Sequence, residues 1–421
     1  MTKTRAVRMY GKEDLRLEVF ELPDIRDDEI LAEIVSDSIC MSSWKAAEQG
    51  IDHKRVPKDI AQNPVIIGHE FCGRILEVGS KWKGQFMPGQ KYAIQPALNY
   101  KGTLFTPGYS YQYIGGAATH IVIPNEVMEQ SCLLDYTGDA FYFGSLSEPM
   151  SCIVGTFHAM YHTENGKYDH KMGIVPGGSM AILAGAGPMG IGAIDYAIHC
   201  DRKPGLLVVT DIDDSRLNRA ASIYTVEEAA KNGVKLVYLN TSGDNPVGRL
   251  LELTGGKGYN DVLCFAPVRP VVEQGDAILG RDGCLNFFAG PSDSKFSATM
   301  NFYNVHYSST HVVGTSGGNT DDMIESLSMM AQGQIDPSSM ITHVGGLNAV
   351  IPTTLNLPRI PGGKKLIYTH LELELSAIAD FEEKGKTDRL FAGLAEIVKA
   401  SGGQWCAEAE RYLLEHGKRI S

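Results

Sequence analysis

The chain of 421 residues has no apolar run near the roughly 18 residues that a membrane-spanning helix needs, and residues 1–8 lack the apolar core of a signal peptide. We therefore expect a cytoplasmic protein without a membrane segment. Basic residues are in the minority, with 38 Lys and Arg against 50 Asp and Glu, so the net charge is −12. This balance argues against general binding to nucleic acid or to anionic membranes. An anionic ligand would have to be met by a local group of cations.

The cysteines are few and scattered, with no CxxC pair. The eight are Cys40, Cys72, Cys132, Cys152, Cys200, Cys264, Cys284 and Cys406. Such scatter in a large chain favours reduced thiols over a disulfide framework. The sequence also lacks internal repeats and low-complexity linkers, so its length predicts about two globular domains.

Short apolar runs recur between residues 180 and 315. They are MAILAG, LLVVTD, KLVYLN, DVLCFA, CLNFFAG and HVVGT, beginning at residues 180, 206, 235, 261, 284 and 311. Helix-like segments with capping or turn residues at their starts separate these runs. The alternation predicts an α/β unit with six strands in a doubly wound parallel sheet.

The first 150 residues have a different pattern, in which short alternating runs dominate. EILAEIV, FCGRILEVG, QKYAIQP and ATHIVIP are separated by Gly, Pro and Asn, which predicts an antiparallel, barrel-like β domain. After residue 315, the helix candidate DDMIESLSMMAQG and the strand candidate KKLIYTHL return to this domain, and amphipathic helices around KASGGQ end the chain. We therefore divide the chain into residues 1–154, 155–315 and 316–421.

A glycine fingerprint follows the first run of the parallel region. Gly185, Gly187 and Gly190 form GxGxxG, with Pro188 and Met189 inside the motif, between a strand and a helix. These glycines permit a tight turn and close approach of a pyrophosphate to the helix N-terminus. The motif and the six runs together predict a dinucleotide site. In the alternative interpretation, the glycines serve only the packing of helix on strand.

The second run ends in an acidic residue that indicates which dinucleotide binds. Asp211 lies 21 residues after Gly190, where a carboxylate can accept hydrogen bonds from the ribose hydroxyls. The carboxylate would repel a 2′-phosphate, so we predict NAD(H) over NADP(H), although Arg216 weakens this preference. Asp211 could instead only cap the next helix.

Four residues form a candidate metal set. The stretch NPVIIGHEFCGRILEVG places His69 and Glu70 inside an apolar strand pattern, where burial of ionisable groups costs free energy unless they are paired or bind a metal. Cys40 ends an earlier strand, and Glu148 lies in the later segment GSLSEPMSC. Cys40 alone is more typical of a packed small hydrophobe, and His69 alone of a hydrogen-bonded histidine. The ordered set favours a divalent ion, because a thiolate, an imidazole and a carboxylate suit Zn²⁺.

Over roughly residues 1–370 the sequence resembles the zinc-dependent medium-chain alcohol and polyol dehydrogenases. The resemblance rests on Cys40, the triplet GHE at 68–70, GGAATHIVIP, SEPMSC and the glycine fingerprint. It is similar to the sorbitol dehydrogenases and, in length and extended C-terminus, to the L-sorbose-1-phosphate reductases. The resemblance implies a GroES-like β-barrel catalytic domain, a Rossmann domain and a homo-oligomer. It also implies Cys40 and His69 as ligands of a catalytic zinc, completed by Glu70 or Glu148.

The sequence departs from the family pattern in two places that bear on the chemistry. Relatives with a second, structural zinc carry four clustered cysteines, and NYKGTLFTPGYSYQYIGG has none, so we predict one zinc per chain. Ser42 keeps the hydroxyl that passes a proton, but Ser43 replaces an acid and Lys45 stands where a relay histidine is usual. We expect Ser42, Glu70 and Glu148 to be the catalytic side chains.

A small group of cations lies near the candidate metal set. Lys45, Lys54 and Arg55 stand close in sequence within an acidic chain. This cluster and the resemblance to the sugar-phosphate reductases motivate the hypothesis that they bind a substrate phosphate; a solvated helix lysine and a solvated turn are the alternative. The predicted reaction is hydride transfer between NAD(H) and a ketose phosphate, and the resemblance implies L-sorbose 1-phosphate and glucitol 6-phosphate as the specific pair. A dehydrogenase of free polyols and a non-catalytic nucleotide-binding module remain alternatives.

Overall fold

The computed structural model describes residues 2–420 and divides into two compact units. The first unit contains Met1–Pro149, Asn319–Ala331 and Met340–Ser421. The second unit contains Met150–Gly318 and Gln332–Ser339. The chain therefore leaves the first unit and returns to it.

Strands and helices are numbered here in chain order. The strands are β1 (Lys3–Gly11), β2 (Asp14–Glu21), β3 (Ile30–Ile39), β4 (Val65–Ile66), β5 (Phe71–Val78), β6 (Lys91–Ile94), β7 (His120–Ile123), β8 (Leu133–Asp135), β9 (Tyr161–His162), β10 (Lys171–Met172), β11 (Ser179–Leu183), β12 (Leu206–Asp211), β13 (Lys235–Asn240), β14 (Tyr259–Cys264), β15 (Leu279–Phe287), β16 (His311–Gly314), β17 (Ile341–Gly346), β18 (Lys364–Tyr368) and β19 (Ser376–Ala377). The α-helices are α1 (Met41–Gln49), α2 (Asn125–Glu129), α3 (Phe141–Ala159), α4 (Pro188–His199), α5 (Asp214–Ile223), α6 (Val226–Lys231), α7 (Pro246–Leu253), α8 (Arg269–Ala277), α9 (Phe302–Ser308), α10 (Thr320–Ala331), α11 (Val350–Asn356), α12 (Phe381–Lys384), α13 (Arg389–Ala400) and α14 (Ala407–His416).

The second unit is built on a six-stranded parallel sheet in the order β13-β12-β11-β14-β15-β16. All six predicted apolar runs lie in these strands, which confirms the predicted fold class. The central strands β11, β12 and β14 are almost entirely buried, as expected for parallel strands covered by helices. The strand order reverses between β11 and β14, which is where open α/β sheets usually bind their ligands.

The first unit contains a three-stranded sheet, β2-β1-β4, and an eight-stranded sheet. The larger sheet runs β19-β17-β18-β3-β5-β6-β8, and β7 also pairs with β3. The four predicted strands appear as β3, β5, β6 and β7. All pairs are antiparallel except β17 with β18, which is a departure from the predicted all-antiparallel arrangement. The hairpin of β1 and β2 was not predicted, because β2 exposes much of its charged sequence.

The register around the central strand β3 brings three distant segments to one end of the sheet. Ile39, the last residue of β3, pairs with Lys365, and Asp37 pairs with Phe71. The residues next to these pairs are Cys40, Lys364 and Glu70, which therefore come together. The segment before Glu70 requires a glycine, because Gly68 has φ +90° and a Cβ there would lie 2.5 Å from Asp37 Oδ2.

The end of the chain forms helices α13 and α14 on either side of the predicted turn, and they pack as predicted. Trp405, Leu394 and Leu413 are fully buried in a cluster that also contains Tyr142 of α3 and Tyr368 of β18. Within residues 2–420, no helix has the length and apolar character needed to span a membrane.

Candidate active site

Three of the predicted metal ligands come together in the first unit. Cys40, His69 and Glu70 each offer one ligand atom, and these atoms all lie within 4.8 Å of one another. His69 and Glu70 are buried, and Cys40 is half-buried at the N-cap of α1. A thiolate, an imidazole and a carboxylate at this spacing are a donor set that suits Zn²⁺.

Glu70 is held by a lysine that sequence reasoning did not identify. Lys364 Nζ donates a hydrogen bond to Glu70 Oε1 at 2.5 Å, and both side chains are buried. Burial opposes charge on both groups, but their mutual attraction lowers the pKa of Glu70 and raises the pKa of Lys364. Glu70 Oε2 is buried and has no hydrogen-bond partner among the residues that the structure describes. A buried carboxylate oxygen without a partner fits a role as metal ligand.

His69 is surrounded by hydroxyl groups. Ser43 Oγ lies 3.3 Å from its Nδ1, whereas Ser42 Oγ and Tyr109 Oη lie 3.3 and 3.4 Å from its Nε2. Ser42 also donates a hydrogen bond to Cys40 Sγ at 3.1 Å. Burial lowers the pKa of His69, which favours the neutral imidazole that metals bind. Ser43 thus contacts the ring nitrogen opposite the one that faces Cys40 and Ser42.

Glu148 lies on α3 next to Pro149 and is 9% exposed. It does not belong to the group whose ligand atoms lie within 4.8 Å. Burial raises the pKa of Glu148 to about 7; the neighbouring charge of His69 opposes this increase, and the charges of Glu70 and Cys40 add to it. Glu148 is therefore close enough to interact electrostatically with all three side chains. The geometry groups Glu70, rather than Glu148, with the thiol and the imidazole.

The predicted cations lie beside this group, on and after α1. The guanidinium of Arg55 stands over the ring of Tyr109, 5.5 Å from the ring centroid, and the Tyr109 ring is 4.9 Å from that of His69. Arg55 Nε is buried and has no hydrogen-bond partner within residues 2–420. Burial and the nearby cations, Arg55 first and then Lys54 and Lys45, lower the pKa of His53 to about 4. All three predicted cations are therefore close enough to His53 to oppose its protonation.

Lys45 and Lys54 differ in their surroundings. Lys45 is half-buried, and burial together with the charge of Lys54 lowers its pKa. Lys54 is exposed. Of the three predicted phosphate ligands, Lys45 and Arg55 are therefore half-buried, and Arg55 has a buried Nε and contacts the ring beside His69.

The glycine fingerprint lies in the second unit at the start of α4. Gly187 is the N-cap, and Pro188 and Met189 begin the helix, whose first N–H groups lack intrahelical partners. A Cβ on Gly190 would lie 2.0 Å from the Gly185 carbonyl oxygen, so only glycine allows this close packing of helix and turn. The motif therefore has the geometry of an anion-binding helix N-terminus.

Asp211 is the last residue of β12 and is buried. Its Oδ1 accepts hydrogen bonds from the backbone N–H groups of Ile212 and Asp213, at 2.9 and 3.2 Å. The cap of α5 is Asp213 and not Asp211, which argues against a purely capping role for Asp211. Arg216 is exposed and lies 3.8 Å from the carboxylate of Asp213.

The three clustered ligands Cys40, His69 and Glu70 are called the metal group below. Two residues that contact this group were not predicted, because no local sequence pattern marks them. Lys364 begins β18, 294 residues after its partner Glu70. Its only signal is the pair of lysines that opens the apolar strand KKLIY, since both Lys364 and Lys365 are buried. Tyr109 lies in a loop, where its sequence gives no sign of contact with His69.

Comparison with known proteins is consistent with this geometry. The model of the alcohol dehydrogenase GroES-like domain matches residues 26–131, and that of the zinc-binding dehydrogenases matches residues 188–332. The chain is 51% identical to mannitol-1-phosphate 5-dehydrogenase of Aliivibrio fischeri, covering 99% of this chain and 98% of that one. It is 49% identical to L-sorbose 1-phosphate reductase of Klebsiella pneumoniae over the whole of both chains. The crystal structure of 2R,3R-butanediol dehydrogenase from Bacillus subtilis has a TM-score of 0.70 at 19% identity, covering 87% of this chain and 99% of that one.

The chain belongs to the zinc-dependent medium-chain alcohol dehydrogenase family, which confirms the resemblance noted from its motifs. Within this family it is an oxidoreductase of the polyol dehydrogenase type. The non-catalytic module considered from the sequence is thereby set aside. The predicted GroES-like and Rossmann-type domains are confirmed as well.

Proposed function

We propose that the protein interconverts a ketohexose phosphate and the matching hexitol phosphate with NAD(H), and that L-sorbose 1-phosphate and glucitol 6-phosphate are the leading pair. The observation that carries this proposal is Arg55, a half-buried cation one aromatic ring away from the metal group, whose Nε has no hydrogen-bond partner in the described part of the chain. Names of relatives 51% and 49% identical to the chain support the same class of substrate.

In this proposal one zinc ion per chain is held by Cys40, His69 and Glu70. When bound there, zinc would polarise the ketose carbonyl toward attack by hydride. Lys364 keeps Glu70 anionic, and Ser43 fixes the orientation of the His69 ring. These contacts prepare the donor set before any ligand arrives.

The remaining polar groups handle the proton and the substrate hydroxyls. Ser42 Oγ lies between Cys40 Sγ and His69 Nε2, and in reduction its hydroxyl donates a proton to the alkoxide oxygen that forms. Glu148 is the second carboxylate of the site and is available to accept a hydrogen bond from a substrate hydroxyl. Lys45 replaces the usual terminal histidine of the relay, so the Ser42 proton would exchange with solvent by another route.

The cofactor proposed is NAD(H). Asp211 is buried at the end of β12, and its carboxylate would accept hydrogen bonds from ribose hydroxyls and repel a 2′-phosphate. A lower KM for NADH than for NADPH is the expected result, and a clear preference for NADPH would contradict the assignment.

Arg55, together with Lys45 and Lys54, is the proposed binding site for the substrate phosphate. A guanidinium binds phosphate through parallel hydrogen bonds, and bonds to charged partners are stronger than neutral ones. The stacking of Arg55 on Tyr109 fixes the guanidinium close to the metal group. A free polyol offers nothing to neutralise this cation and should be a poor substrate.

The names of the two relatives suggest substrates that differ in the distance between the carbonyl and the phosphate. In L-sorbose 1-phosphate, the phosphate is on the carbon next to the carbonyl. Oxidation of mannitol 1-phosphate at C5 gives a ketose with its phosphate at the far end of the chain. The ketose 1-phosphate suits Arg55 better, because a single tyrosine ring separates its guanidinium from His69. The 51% identity to mannitol-1-phosphate 5-dehydrogenase makes the ketose 6-phosphate the second candidate.

A turnover screen tests the proposal directly. L-sorbose 1-phosphate, fructose 6-phosphate and the two free ketoses are each reduced with NADH by the wild type, by Arg55→Met and by the control Arg389→Met. Arg389 is exposed at the start of α13. We expect Arg55→Met to lower kcat/KM for the ketose phosphate by roughly 10- to 100-fold and to leave the free ketose unchanged.

Each outcome of the screen selects one function. A preference for L-sorbose 1-phosphate that Arg55→Met removes supports the leading pair, and the same pattern with fructose 6-phosphate supports the second candidate. Equal turnover of free and phosphorylated ketoses by the wild type would leave a dehydrogenase of free polyols. No turnover of any of these ketoses by a zinc-loaded protein would overturn the proposal.

A further inference from the structure

Helix α3 begins after a residue whose side chain cannot cap it. The residue before the helix is Ala140, whose side chain offers no hydrogen-bond acceptor. The first N–H groups of a helix have no partners inside it and need acceptors from elsewhere when they are buried. Phe141 and Tyr142, the first two residues of α3, are both buried.

The missing acceptors are supplied by a carboxylate near the end of the chain. Glu410 lies on α14 and is 1% exposed. Its Oε1 accepts from the backbone N–H of Phe141 at 2.6 Å, and its Oε2 accepts from that of Tyr142 at 2.9 Å. Glu410 therefore caps α3 across 269 residues of sequence. Burial raises the pKa of Glu410 to about 7, and the ionised form interacts favourably with the positive end of the helix dipole.

The same carboxylate holds strand β18. The hydroxyl of Tyr368, the last residue of β18, donates to Glu410 Oε2 at 2.9 Å. Trp405 Nε1 in turn donates to that hydroxyl at 2.8 Å, and its ring is fully buried. Glu410, Tyr368 and Trp405 thus form one buried chain of hydrogen bonds that joins the C-terminal segment to two elements of the first unit.

Both elements carry side chains of the metal site. Helix α3 carries Glu148, two turns after its capped end, and β18 begins with Lys364, the partner of Glu70. Lys364 and Tyr368 are four residues apart on one strand and therefore lie on the same face of it. Leu366 between them packs with Tyr142 in the cluster that surrounds Trp405. A shift of either element would move a carboxylate, or the partner of a carboxylate, at the metal site.

We propose that Glu410 is a positioning residue of the metal site, and that the C-terminal helices exist in this chain to clamp α3 and β18 in the arrangement that zinc binding requires. The proposal rests on the proposed function only in that Cys40, His69 and Glu70 hold the metal. The clamp itself is a matter of hydrogen bonds within the first unit. Neither matched family model extends beyond residue 332, so the clamp belongs to a part of the chain outside both of them.

The decisive variant is Glu410→Gln, with Glu408→Gln as its matched control. The two backbone N–H groups donate to different oxygens of Glu410, so an amide in the same position would place its NH₂ group against one of these donors. Glu408 lies two residues earlier on the same helix and is exposed. Full-length protein is stripped of metal, its fold is checked by circular dichroism, and Co²⁺ is titrated while the absorption of the bound ion is recorded. NADH binding, a property of the second unit, is measured alongside.

We expect Glu410→Gln to weaken Co²⁺ binding by roughly 10- to 100-fold, to alter the absorption spectrum of bound Co²⁺ and to lower kcat, with NADH binding unchanged. Glu408→Gln should match the wild type in all four measurements. A folded Glu410→Gln protein with wild-type Co²⁺ affinity, spectrum and kcat would overturn the proposal. A role in stability alone would lower Tm without changing these site properties.

Tyr368→Phe keeps the test decisive if Glu410→Gln does not fold. This variant removes the link to β18 and leaves the α3 cap, so a smaller loss of Co²⁺ affinity is expected, and an unchanged affinity would again reject the clamp.

Failure of the clamp is distinguishable from failure of the proposed function. If the wild type binds no Co²⁺ at Cys40, the metal assignment is wrong; if it binds and the variants match it, only the clamp is wrong.

Discussion

Two groups of side chains in this protein bring three potential metal ligands within 4.8 Å of one another, and they differ in what else those side chains do. One is Cys40, His69 and Glu70 in the first unit, and the other is His162, Asp282 and His311 in the second. In the first group Glu70 Oε2 is buried without a hydrogen-bond partner among residues 2–420. An ion can therefore bind this carboxylate oxygen without displacing a hydrogen bond from it.

In the second group His162 and Asp282 already have hydrogen-bond partners, and His311 Nε2 is the one ligand atom without a partner within residues 2–420. His162 Nε2 lies 3.0 Å from Asp261 Oδ1, and its Nδ1 lies 2.9 Å from the carbonyl oxygen of Asp282. The Asp282 carboxylate accepts from the backbone N–H and the hydroxyl of Thr163, and it lies 3.1 Å from His311 Nε2. Two acceptors on one imidazole favour its protonated form, which cannot bind a metal. Closeness of ligand atoms thus does not define a metal site unless their lone pairs are free.

The largest effect that separates the two groups is on zinc content and activity. Cys40→Ser removes the thiolate ligand, so we expect zinc content near zero and a loss of kcat/KM of roughly 1000-fold, because the polarisation of the carbonyl is lost. His162→Asn should keep one zinc per chain and turnover near that of the wild type. Metal analysis of the purified proteins with an NADH-depletion assay measures both quantities.

The opposite result for zinc content would contradict the distinction between the two groups. Two zinc ions per wild-type chain, one of them lost in His162→Asn, would show that the second group binds metal despite its hydrogen bonds. It would also contradict the expectation of one zinc per chain.

A smaller effect is expected on stability when each group loses its countercharge. Lys364→Met leaves the buried Glu70 without its partner, and loss of one member of a buried ion pair costs roughly 3–5 kcal/mol. Asp261→Asn should cost less, about 1–2 kcal/mol, since His162 can release its proton near neutral pH. Denaturant unfolding of metal-free protein gives both values, and zinc or NADH identifies which transition belongs to which unit.

Zinc provides the control for this prediction. A bound divalent ion neutralises Glu70, so the destabilisation in Lys364→Met should shrink when zinc is present, whereas that in Asp261→Asn should not change. An equal response of the two variants to zinc would show that Lys364 does not act through the metal group.

The two units also differ in how much of their function the sequence predicted. In the second unit the signals are local: the six apolar runs became β11 to β16, and Gly185, Gly187 and Gly190 lie at the start of α4 where their spacing placed them. The short helix α6 was missed, since six residues hold too little periodicity to predict a helix. Contiguous motifs can be predicted because all of their functional residues lie within one short turn of the chain.

In the first unit the candidate metal site is assembled by strand register, which the sequence does not display. Cys40 and His69 could be nominated, but the choice between Glu70 and Glu148 depends on where β5 and α3 lie. Lys364 lies 294 residues from its partner, and the carboxylate that caps α3 lies 269 residues from the helix. Neither contact leaves a spacing pattern, so neither could be predicted.

The smallest expected effect concerns pH and the second group. Burial opposes the charge of His162, but the hydrogen bond and charge of Asp261 and the contacts with Asp282 outweigh burial and raise the pKa of His162 above 6.5. A raised pKa in the folded state contributes stability that is complete below the unfolded pKa and is lost as the pH rises through the folded pKa. Stability of the second unit should therefore fall as the pH rises above about 6.5, and His162→Asn should flatten that decline.

The pH profile of the NADH-sensitive unfolding transition, between about pH 5.5 and 8.5, tests this prediction. Other histidines contribute to the same profile: the pKa of His199 is raised, chiefly by its hydrogen bond to Asp195, and burial lowers that of His311. The difference between wild type and His162→Asn isolates the one side chain. If the two profiles were parallel, folding would not raise the pKa of His162, its contacts would not favour the protonated ring, and the distinction between the two groups would no longer hold.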